Sequence, residues 1–507
     1  MTTTAVAPAP AAAPLPVPGR RAFALVLVAV AAAAFASRLV PVLHGGGLFG
    51  LIGYDGGVYY AAGAGLAHGL WPYLDFLLLH PPGIVLALAP FGLLGRVVGH
   101  PEAMAAARLA WMLLGTLSAL LVAATLRRLG LVAALVGGLV YAVWVPAIFV
   151  ERTTTLEAVT GVLTLGAVWL VSRAARGDLT TRAAVLAGLL LGASCATKIW
   201  GVAPLLAVVA WCALEHGRRR AVALALGGAA ATVAICLPFF LRAPRLMWDM
   251  VVGAQLGRPQ VDVSWYTRAV DTAGLSQVAG GVTPLLVLVT ALVLVSVVVA
   301  LRSAAGRLAV ALLVVGLVLL AVSPAWTVDY ASLVAAPVAL LGGRAAGAVS
   351  RAVSQLAPLR VVVVLAVVGA LAAYTALSAP RTVFGTPFAG RTMARLVAGT
   401  PGCVTSDEPT VLVESGALTR NLERGCPLVV DLGGYSYYLR PGADLQVGRA
   451  RNEQWQAFAL DYLASGGAAV VVRFDTLTGL SPSTRATIER WPALGDAGRY
   501  VVRRPSR

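Results

Sequence analysis

The chain has 507 residues, of which 59% are apolar and 12% are charged, with a formal net charge of +17 and a mean hydropathy of +0.84. Soluble globular domains are closer to one quarter charged, so this composition excludes an ordinary soluble domain. The basic balance does not indicate nucleic acid, because most arginines lie in short loops between apolar stretches. We therefore expect a lipid bilayer, and no nucleic acid, among the partners.

The N-terminal segment divides into a polar tail and a first apolar run. Residues 1–19 are rich in alanine, proline and threonine, and we expect a disordered tail in the cytoplasm. Arg20 and Arg21 precede an apolar run over 22–43, a pattern that a secretory signal peptide with a cleavage site near 34–37 would also have. The run is longer than a typical signal core, so we favour an uncleaved first span.

Apolar stretches recur throughout residues 20–379, and each is long enough to cross a hydrocarbon core about 30 Å thick as a helix. The sequence predicts an all-α polytopic membrane domain of about eleven transmembrane helices, at 22–43, 104–126, 131–150, 155–172, 183–200, 202–214, 221–241, 281–301, 308–325, 326–343 and 361–379. The segment 83–98 is apolar but short and contains Pro90. It is either a further span or a helix in the membrane interface.

The distribution of arginines decides between these two alternatives. If 83–98 does not cross the bilayer, the arginine clusters at 20–21, 127–128, 173–182, 218–220, 302–307 and 344–360 all lie on one side, which is then cytoplasmic. This topology places the N-terminus inside and places 44–103, 242–280 and 380–507 outside the cytoplasm. The alanine-, valine- and arginine-rich composition is typical of a GC-rich bacterium, so we expect a multi-pass protein of a bacterial plasma membrane.

Residues 380–507 have a different character. Short β-rich runs at 403–406, 427–431 and 468–473 alternate with helical patterns near 452–465 and 482–491. This alternation predicts a small extracytoplasmic α/β domain. Cys403 and Cys426 lie in this domain, where an oxidising compartment would allow a disulfide between them. The other cysteines lie in apolar spans and are expected to pack as small apolar side chains.

The first predicted outer loop, 44–103, is more aromatic and acidic than a simple connection needs to be. Tyr54 and Asp55 precede two glycines, Asp75 lies in a Pro-Tyr-Leu-Asp-Phe stretch, and His80 precedes Pro-Pro-Gly. Each residue also has a structural alternative. Asp55 could cap the helical pattern that follows, Asp75 could close a turn, and His80 could stand at a helix entrance.

Other ionisable residues lie at the same predicted membrane level. Glu151 and Arg152 follow the outer end of the span 131–150, and Glu157 lies just inside the start of the next span. Lys198 lies near the outer end of the span 183–200, and Arg258 lies in a later outer loop. Charges at membrane depth are costly, so they usually mark a site. Alternatively, Lys198 could extend to the interface, and the arginines could bind anionic headgroups. A carboxylate beside cations suits a reaction on a lipid-linked phosphate.

These residues resemble the GT-C superfamily of membrane glycosyltransferases. The closest likeness is to bacterial relatives of the dolichyl-phosphate-mannose protein mannosyltransferases and the aminoarabinose transferases, and it covers residues 20–260. The matching features are, in chain order, Tyr54-Asp55-Gly56-Gly57, Pro72 to Phe76, His80-Pro81-Pro82-Gly83, Arg108, Arg127, Arg128, Glu151 and Thr197-Lys198. Many relatives have two adjacent acids in the first loop, whereas Gly56 follows Asp55 here, which puts a metal-binding role in doubt.

The resemblance implies an inverting glycosyltransferase of the cell envelope. It would move a sugar of the arabinose or mannose type from a polyprenyl-phosphate donor to an extracytoplasmic glycan, lipid or protein acceptor. Asp55 would be the catalytic base, and Lys198 with Arg152 or Arg258 would bind the donor phosphate. The residues that would shape the pocket are Tyr54, Asp75, His80, Glu151 and Glu157. No cofactor is required, and a divalent metal is possible but not indicated.

Two other functions fit a polytopic chain with cations near one membrane face. A transporter or flippase of lipid-linked envelope precursors would have paired repeats or interrupted helices near the bilayer midplane, and the sequence has no internal repeat. A scaffold whose C-terminal domain carries the function would tolerate substitutions in the first outer loop. The clustering of ionisable residues at one face favours the transferase.

Overall fold

The structure, a computed structural model, describes residues 19–258, 262–278, 280–353, 357–378, 381, 384–439 and 448–506. The predicted tail, apart from Gly19, lies outside the described residues. What the structure describes is a helical bundle, which ends at Ser378, and a small mixed α/β unit, which begins at Phe384.

The bundle consists of apolar helices joined by short turns. Its helices are α1 (Arg20–Gly45), α2 (Tyr54–Ala67), α3 (Gly83–Val98), α4 (His100–Leu126), α5 (Leu131–Val143), α6 (Val145–Glu151), α7 (Leu156–Ser172), α8 (Thr181–Cys195), α9 (Val202–His216), α10 (Arg218–Arg242), α11 (Pro244–Trp248), α12 (Ala254–Leu256), α13 (Trp265–Thr272), α14 (Thr283–Ala300), α15 (Ala304–Val322), α16 (Ala335–Ala352) and α17 (Ala357–Ser378). Alanine, leucine and valine dominate them, and a helix satisfies its backbone polar groups within lipid.

Within the described residues, seven helical segments are long and apolar enough to cross a bilayer. They are Arg20–Gly45, His100–Leu129, Ile199–His216, Arg218–Arg242, Thr283–Ala300, Ala304–Val322 and Val328–Ala352. The bent pair α5 and α6 would be an eighth, and α3, α7, α8 and part of α17 are shorter apolar helices. A polytopic helical membrane protein is therefore confirmed, whereas the number of eleven spans stays a prediction.

The predicted span at 131–150 is broken. α5 and α6 bend by 60° relative to each other, because Trp144 is extended and Pro146 lies in the first turn of α6. Proline lacks the amide that a continuous helix would need at this position. The amide of Val145 instead donates to the hydroxyl of Tyr374 at 3.2 Å. The bend turns the end of α6 towards the small domain.

The small domain is built on a four-stranded mixed sheet. Its elements are α18 (Gly390–Ala398), β1 (Val404–Ser406), α19 (Pro409–Glu414), α20 (Ala417–Glu423), α21 (Tyr435–Tyr438), α22 (Glu453–Ala464), β2 (Ala468–Val470), α23 (Pro482–Glu489), β3 (Ala493–Ala497) and β4 (Tyr500–Arg503). The strand order is β1-β2-β4-β3. β1 and β2 are parallel, with Thr405 opposite Ala469, and the other pairs are antiparallel.

The sheet differs from the predicted one in two places. The run at 427–431 was predicted as a strand, but it is irregular. The hairpin of β3 and β4 was not predicted. Cys403 and Cys426 form a disulfide, which joins the residue before β1 to the end of the turn after α20. The predicted alternation of strands and helices is thus correct for β1, α22, β2 and α23 only.

The small domain packs on one end of the bundle. We call this end of the bundle the domain face. One hydrophobic core runs through both parts and includes Tyr60 and Leu88 of the bundle together with Val411 and Val470 of the domain. Leu51 and Thr386 exchange two backbone hydrogen bonds of 3.0 Å. The two parts therefore form one packed unit.

A buried ion pair also crosses this boundary. Arg108 of α4 lies 3.0 Å from the carboxylate of Glu414 at the end of α19, and both side chains are almost fully buried. Arg108 also donates to the carbonyl of Leu48. Arg108, one of the residues on which the predicted resemblance depends, thus holds the domain and the first loop against the bundle.

Candidate functional site

The site begins where α2 starts at the domain face. Gly53 is the N-cap residue, with a φ of +113° that favours glycine, and Asp55 lies in the first turn. The alternative that Asp55 is an N-cap is therefore wrong. The hydroxyl of Thr154 donates to the carbonyl of Gly56 at 2.7 Å. This bond fixes the start of α2 against the loop after α6.

Asp55 is accessible to solvent, although much of the protein lies around it. Burial raises the pKa of Asp55 to about 6, and the negative charges of Asp431 and Glu157 add to this rise, whereas Arg258 and Arg473 oppose it. Such a carboxylate is mostly ionised at neutral pH and still takes up a proton readily, which suits a general base.

Lys198 follows the end of α8 and pairs with Glu157, the acid whose charge also acts on Asp55. Its Nζ lies 2.6 Å from Oε1 of Glu157, which belongs to the first turn of α7. The same Nζ lies 4.6 Å from the ring centroid of Trp200 and 4.7 Å from that of Tyr330. The aromatic faces and the carboxylate together hold an ammonium group in a largely apolar setting.

Arg258 approaches the same aromatic ring from the loop after α12. Its guanidinium donates to the hydroxyl of Tyr330 at 3.0 Å. It also lies 4.9 Å from the ring centroid of Tyr437 in the small domain. Tyr330 therefore lies between two cations, Lys198 and Arg258, at the domain face.

Two cavities meet at these residues. The first is an apolar cleft lined mainly by α7, α15 and α16, which ends at Glu157, Lys198 and Tyr330. The second is lined by Lys198, Tyr330, His80, Arg258 and residues of α12. A ligand with an apolar chain and an anionic head would match this pair of cavities.

His80 lies in the second cavity and not on the surface. Its ring centroid is 5.8 Å from that of Tyr59, and within the described residues its Nδ1 has no hydrogen-bond partner. Burial and the positive charges of Arg258 and Lys198 lower the pKa of His80 well below its usual range. The ring is therefore neutral near neutral pH and can donate or accept one hydrogen bond.

Glu151 lines the apolar cleft but is engaged with other side chains. Its carboxylate pairs with Arg38 of α1 and accepts a hydrogen bond of 2.7 Å from the hydroxyl of Tyr141. Both partners are buried. Glu151 thus joins α1, α5 and α6 deep in the bundle.

Arg152 and Asp75 lie farther from the place where the two cavities meet. The guanidinium of Arg152 lies between the rings of Phe149 and Phe384, at 3.7 Å and 3.9 Å from their centroids. Asp75 is exposed and accepts a hydrogen bond of 2.6 Å from the amide of Trp71. The structure therefore brings Asp55, Glu157, Lys198, His80 and Arg258 together, and places these two residues at the edge.

Three further residues at the site were not predicted. Tyr330 and Asp329 follow α15, and Asp329 interacts electrostatically with Glu157, Asp55, Arg152 and Lys198. An acid inside the predicted span at 326–343 is a signal that would have found it. Asp431 gives no such signal, because it follows an ordinary apolar run in the small domain. Within the described residues, there is no group of three or more metal-ligating side chains.

No protein-family model matches the sequence, and no curated protein matches it. Solved structures do resemble its fold. For ArnT from Cupriavidus metallidurans in the apo state, the TM-score is 0.61 at 15% identity, covering 95% of this chain and 98% of that chain. For the same protein bound to undecaprenyl phosphate, the TM-score is 0.60 at 16% identity, covering 96% and 98%.

An archaeal protein gives a similar result. For the oligosaccharyltransferase AglB from Archaeoglobus fulgidus, in complex with an inhibitory peptide and a dolichol-phosphate, the TM-score is 0.59 at 14% identity, covering 89% of this chain and 69% of that chain. ArnT, an aminoarabinose transferase, and AglB are both GT-C superfamily members. At an identity this low, structural similarity establishes a common fold but not a common substrate. The predicted resemblance to the GT-C superfamily is thus confirmed at the level of the fold, which this chain shares with ArnT and AglB.

Proposed function

We propose that this protein is an inverting glycosyltransferase that takes its sugar from a polyprenyl-phosphate donor. The observation that carries the proposal is the apolar cleft that ends at Lys198 and Tyr330, with Arg258 and Asp55 beside it. A polyprenyl chain would fill the cleft and leave its phosphate among the cations, where charge-assisted hydrogen bonds are strong. The complex of ArnT with undecaprenyl phosphate, which has the same fold, supports this assignment.

The reaction follows from the positions of these groups. The acceptor hydroxyl oxygen attacks the anomeric carbon and forms the new glycosidic bond, while the bond from that carbon to the phosphate oxygen breaks. The phosphate leaves with the bonding electron pair, and Lys198 and Arg258 stabilise its charge. Asp55 takes the proton of the attacking hydroxyl. Attack opposite the leaving group inverts the anomeric configuration.

The location and the remaining partners follow from the same proposal. The domain face, with the small domain, lies outside the cytoplasm of a bacterial plasma membrane, as the arginine distribution predicts. The donor sugar is of the arabinose or mannose type, and the acceptor belongs to the cell envelope. In this proposal the step requires no metal, because Lys198 and Arg258 supply the positive charge for the leaving phosphate; a divalent metal is possible but not indicated.

The first experiment is a transfer assay with the full chain purified into lipid nanodiscs. Radiolabelled polyprenyl-phosphate mannose and polyprenyl-phosphate arabinose are offered with an envelope extract, and Asp55→Asn is assayed in parallel. We expect label in the extract with one donor and a loss of about 100-fold or more in Asp55→Asn, the usual contribution of a general base. Near-normal turnover by folded Asp55→Asn would show that this residue is not the base.

The same assay separates this function from transport. A transferase releases polyprenyl phosphate and labels the acceptor, whereas a flippase moves intact donor across vesicles and leaves the sugar attached to its lipid. Movement of intact donor, without sugar transfer, by wild-type protein would overturn the proposal in favour of transport.

A further inference from the structure

The small domain contributes a carboxylate beside the base. Oδ1 of Asp431 accepts hydrogen bonds from the hydroxyl of Tyr54 at 3.0 Å and from the amide of Gly434 at 2.6 Å. The amide of Gly433 donates in turn to the hydroxyl of Tyr54 at 2.9 Å. Because Tyr54 directly precedes Asp55, these bonds fix Asp431 relative to the base.

The second oxygen of Asp431 is open to a ligand. Among the residues that the structure describes, none donates a hydrogen bond to Oδ2. The side chain is only half-buried. Oδ2 packs so closely against Gly434 that a Cβ built on that glycine would lie 2.3 Å from it. Within the described residues, the carboxylate therefore presents one oxygen that receives no hydrogen bond from the fold.

Aromatic rings and a fixed loop surround this carboxylate. The ring of Phe474 packs edge-on against Tyr54, with centroids 5.7 Å apart, and Arg473 lies 5.6 Å from the Tyr54 ring centroid. Both belong to a loop whose amides donate to the carboxylate of Asp407, at 2.9 Å from Arg473 and 2.6 Å from Phe474. Phe474 is buried in the core of the domain, so it supports the half-buried ring of Tyr54. The Tyr54 ring beside a carboxylate suits a sugar, which has apolar C–H faces and a rim of hydroxyls.

We propose, on the basis of the proposed glycosyl transfer, that Asp431 binds the acceptor. Its Oδ2 accepts a hydrogen bond from a hydroxyl next to the one that Asp55 deprotonates. The acceptor is then a sugar or another polyol with neighbouring hydroxyls, and not the isolated hydroxyl of a serine or threonine side chain. The small domain thereby supplies part of the acceptor site.

The position of Asp431 also has an electrostatic consequence for the base. The charged and titratable groups that act on Asp55, or on which Asp55 acts, are Asp431, Glu157, Arg258, Arg473, Asp329 and Tyr59. Asp431 contributes the largest rise in the pKa of Asp55 after burial. Asp431→Asn removes one negative charge, so the pKa of Asp55 falls and the base stays ionised to lower pH.

The test compares three variants of the full chain in lipid nanodiscs. Asp431→Asn removes the accepting oxygen and its charge. Gly434→Ala displaces Oδ2, because the new Cβ would collide with it, and Asp461→Asn makes the same chemical change as Asp431→Asn at an exposed position of α22. The donor is the polyprenyl-phosphate sugar that supports transfer, and the acceptors are methyl mannoside and methyl arabinoside. The dissociation constant for undecaprenyl phosphate is measured alongside.

We expect Asp431→Asn and Gly434→Ala to raise the acceptor KM about tenfold or more, as loss of a hydrogen bond to a charged group does, with a smaller change in kcat. Undecaprenyl phosphate should bind all variants alike. Only Asp431→Asn should move the acid limb of the kcat/KM profile to lower pH. Asp461→Asn should behave as wild type.

If the wild type transfers sugar and Asp431→Asn leaves the acceptor KM unchanged, the inference about Asp431 is wrong, whereas the proposed function stands. A parallel loss of undecaprenyl phosphate binding and thermal stability would also contradict the inference, because it would assign Asp431 a structural role. Failure of the wild type to transfer sugar from either donor would overturn the proposed function, and the inference with it.

Discussion

At the scale of single residues, the charges around Asp55 determine the pH at which it can act. Burial and two neighbouring carboxylates raise its pKa to about 6. A base must be ionised to accept a proton, so kcat/KM should fall about tenfold per pH unit below pH 6 and level off above it. Initial rates of sugar transfer across this range test the prediction. A rate that does not change through pH 6 would contradict it.

Lys198 and Arg258 should each contribute to donor affinity. We expect Lys198→Ala or Arg258→Ala to weaken binding of undecaprenyl phosphate about tenfold or more, because each removes a charge-assisted contact. Lys198→Ala also leaves Glu157 without its ion-pair partner beside the phosphate. Adding Glu157→Gln to that variant should therefore restore part of the affinity.

The control is Arg245→Ala. Arg245 lies in α11, and its side chain is almost fully exposed, so its removal changes the net charge equally but should leave the affinity as in wild type. If Lys198→Ala, Arg258→Ala and Arg245→Ala weaken the binding of undecaprenyl phosphate equally, the attraction is nonspecific. That result would contradict the assignment of Lys198 and Arg258 to the phosphate.

At the scale of elements, the apolar cleft between α7, α15 and α16 should set the preference for long lipid chains. Gly161 of α7 lines the cleft, and we expect Gly161→Phe to fill it. Affinity for undecaprenyl phosphate should fall severalfold, whereas dimethylallyl phosphate should bind as before, because Gly161 lies about 6 Å along α7 from Glu157 and the single isoprene unit of that lipid extends little further than that. Binding of both lipids to protein in nanodiscs measures the difference.

The matched control is Gly369→Phe in α17, where a new side chain would meet no neighbouring atom. Equal loss of both lipids in Gly161→Phe would mean that the substitution disturbs the phosphate end or the packing, and not the chain site.

The elements also show what the sequence can and cannot predict. The helical bundle is predictable, because apolar runs are local signals. Isolated charges such as Asp55 and Lys198 are local signals too, and the structure places both side chains near Glu157, whereas the interfacial position of 83–98 stays a prediction. The break at Trp144 is local too, since Pro146 marks it, but an apolar run overrides that signal when spans are assigned by hydropathy. The segment 427–431 has the composition of a strand, yet it pairs with no strand. Asp431, at the end of this segment, accepts a hydrogen bond from Tyr54, which lies 377 residues away in the sequence. No local pattern encodes that contact.

At the scale of the whole molecule, the pair of Arg108 and Glu414 should stabilise the assembly of domain and bundle. Removing one partner of a buried ion pair typically costs about 3–5 kcal/mol, because the other charge is left buried alone. We expect Glu414→Ala to lower the thermal unfolding temperature clearly. Asp249→Ala, which breaks an exposed pair with Arg245, should change it little. Equal unfolding temperatures for the two variants would contradict a stabilising role for the buried pair.

The continuous core described above has a consequence for biogenesis. α2 is buried along almost its whole length, and part of that burial comes from α19, which the ribosome makes some 340 residues later by the bounds of the two helices. Until α19 has been made, the face of α2 around Gly57, which packs on Thr410 of α19, has no cover. A chain that stops before α19 should therefore lack the packed start of α2, where Asp55 lies.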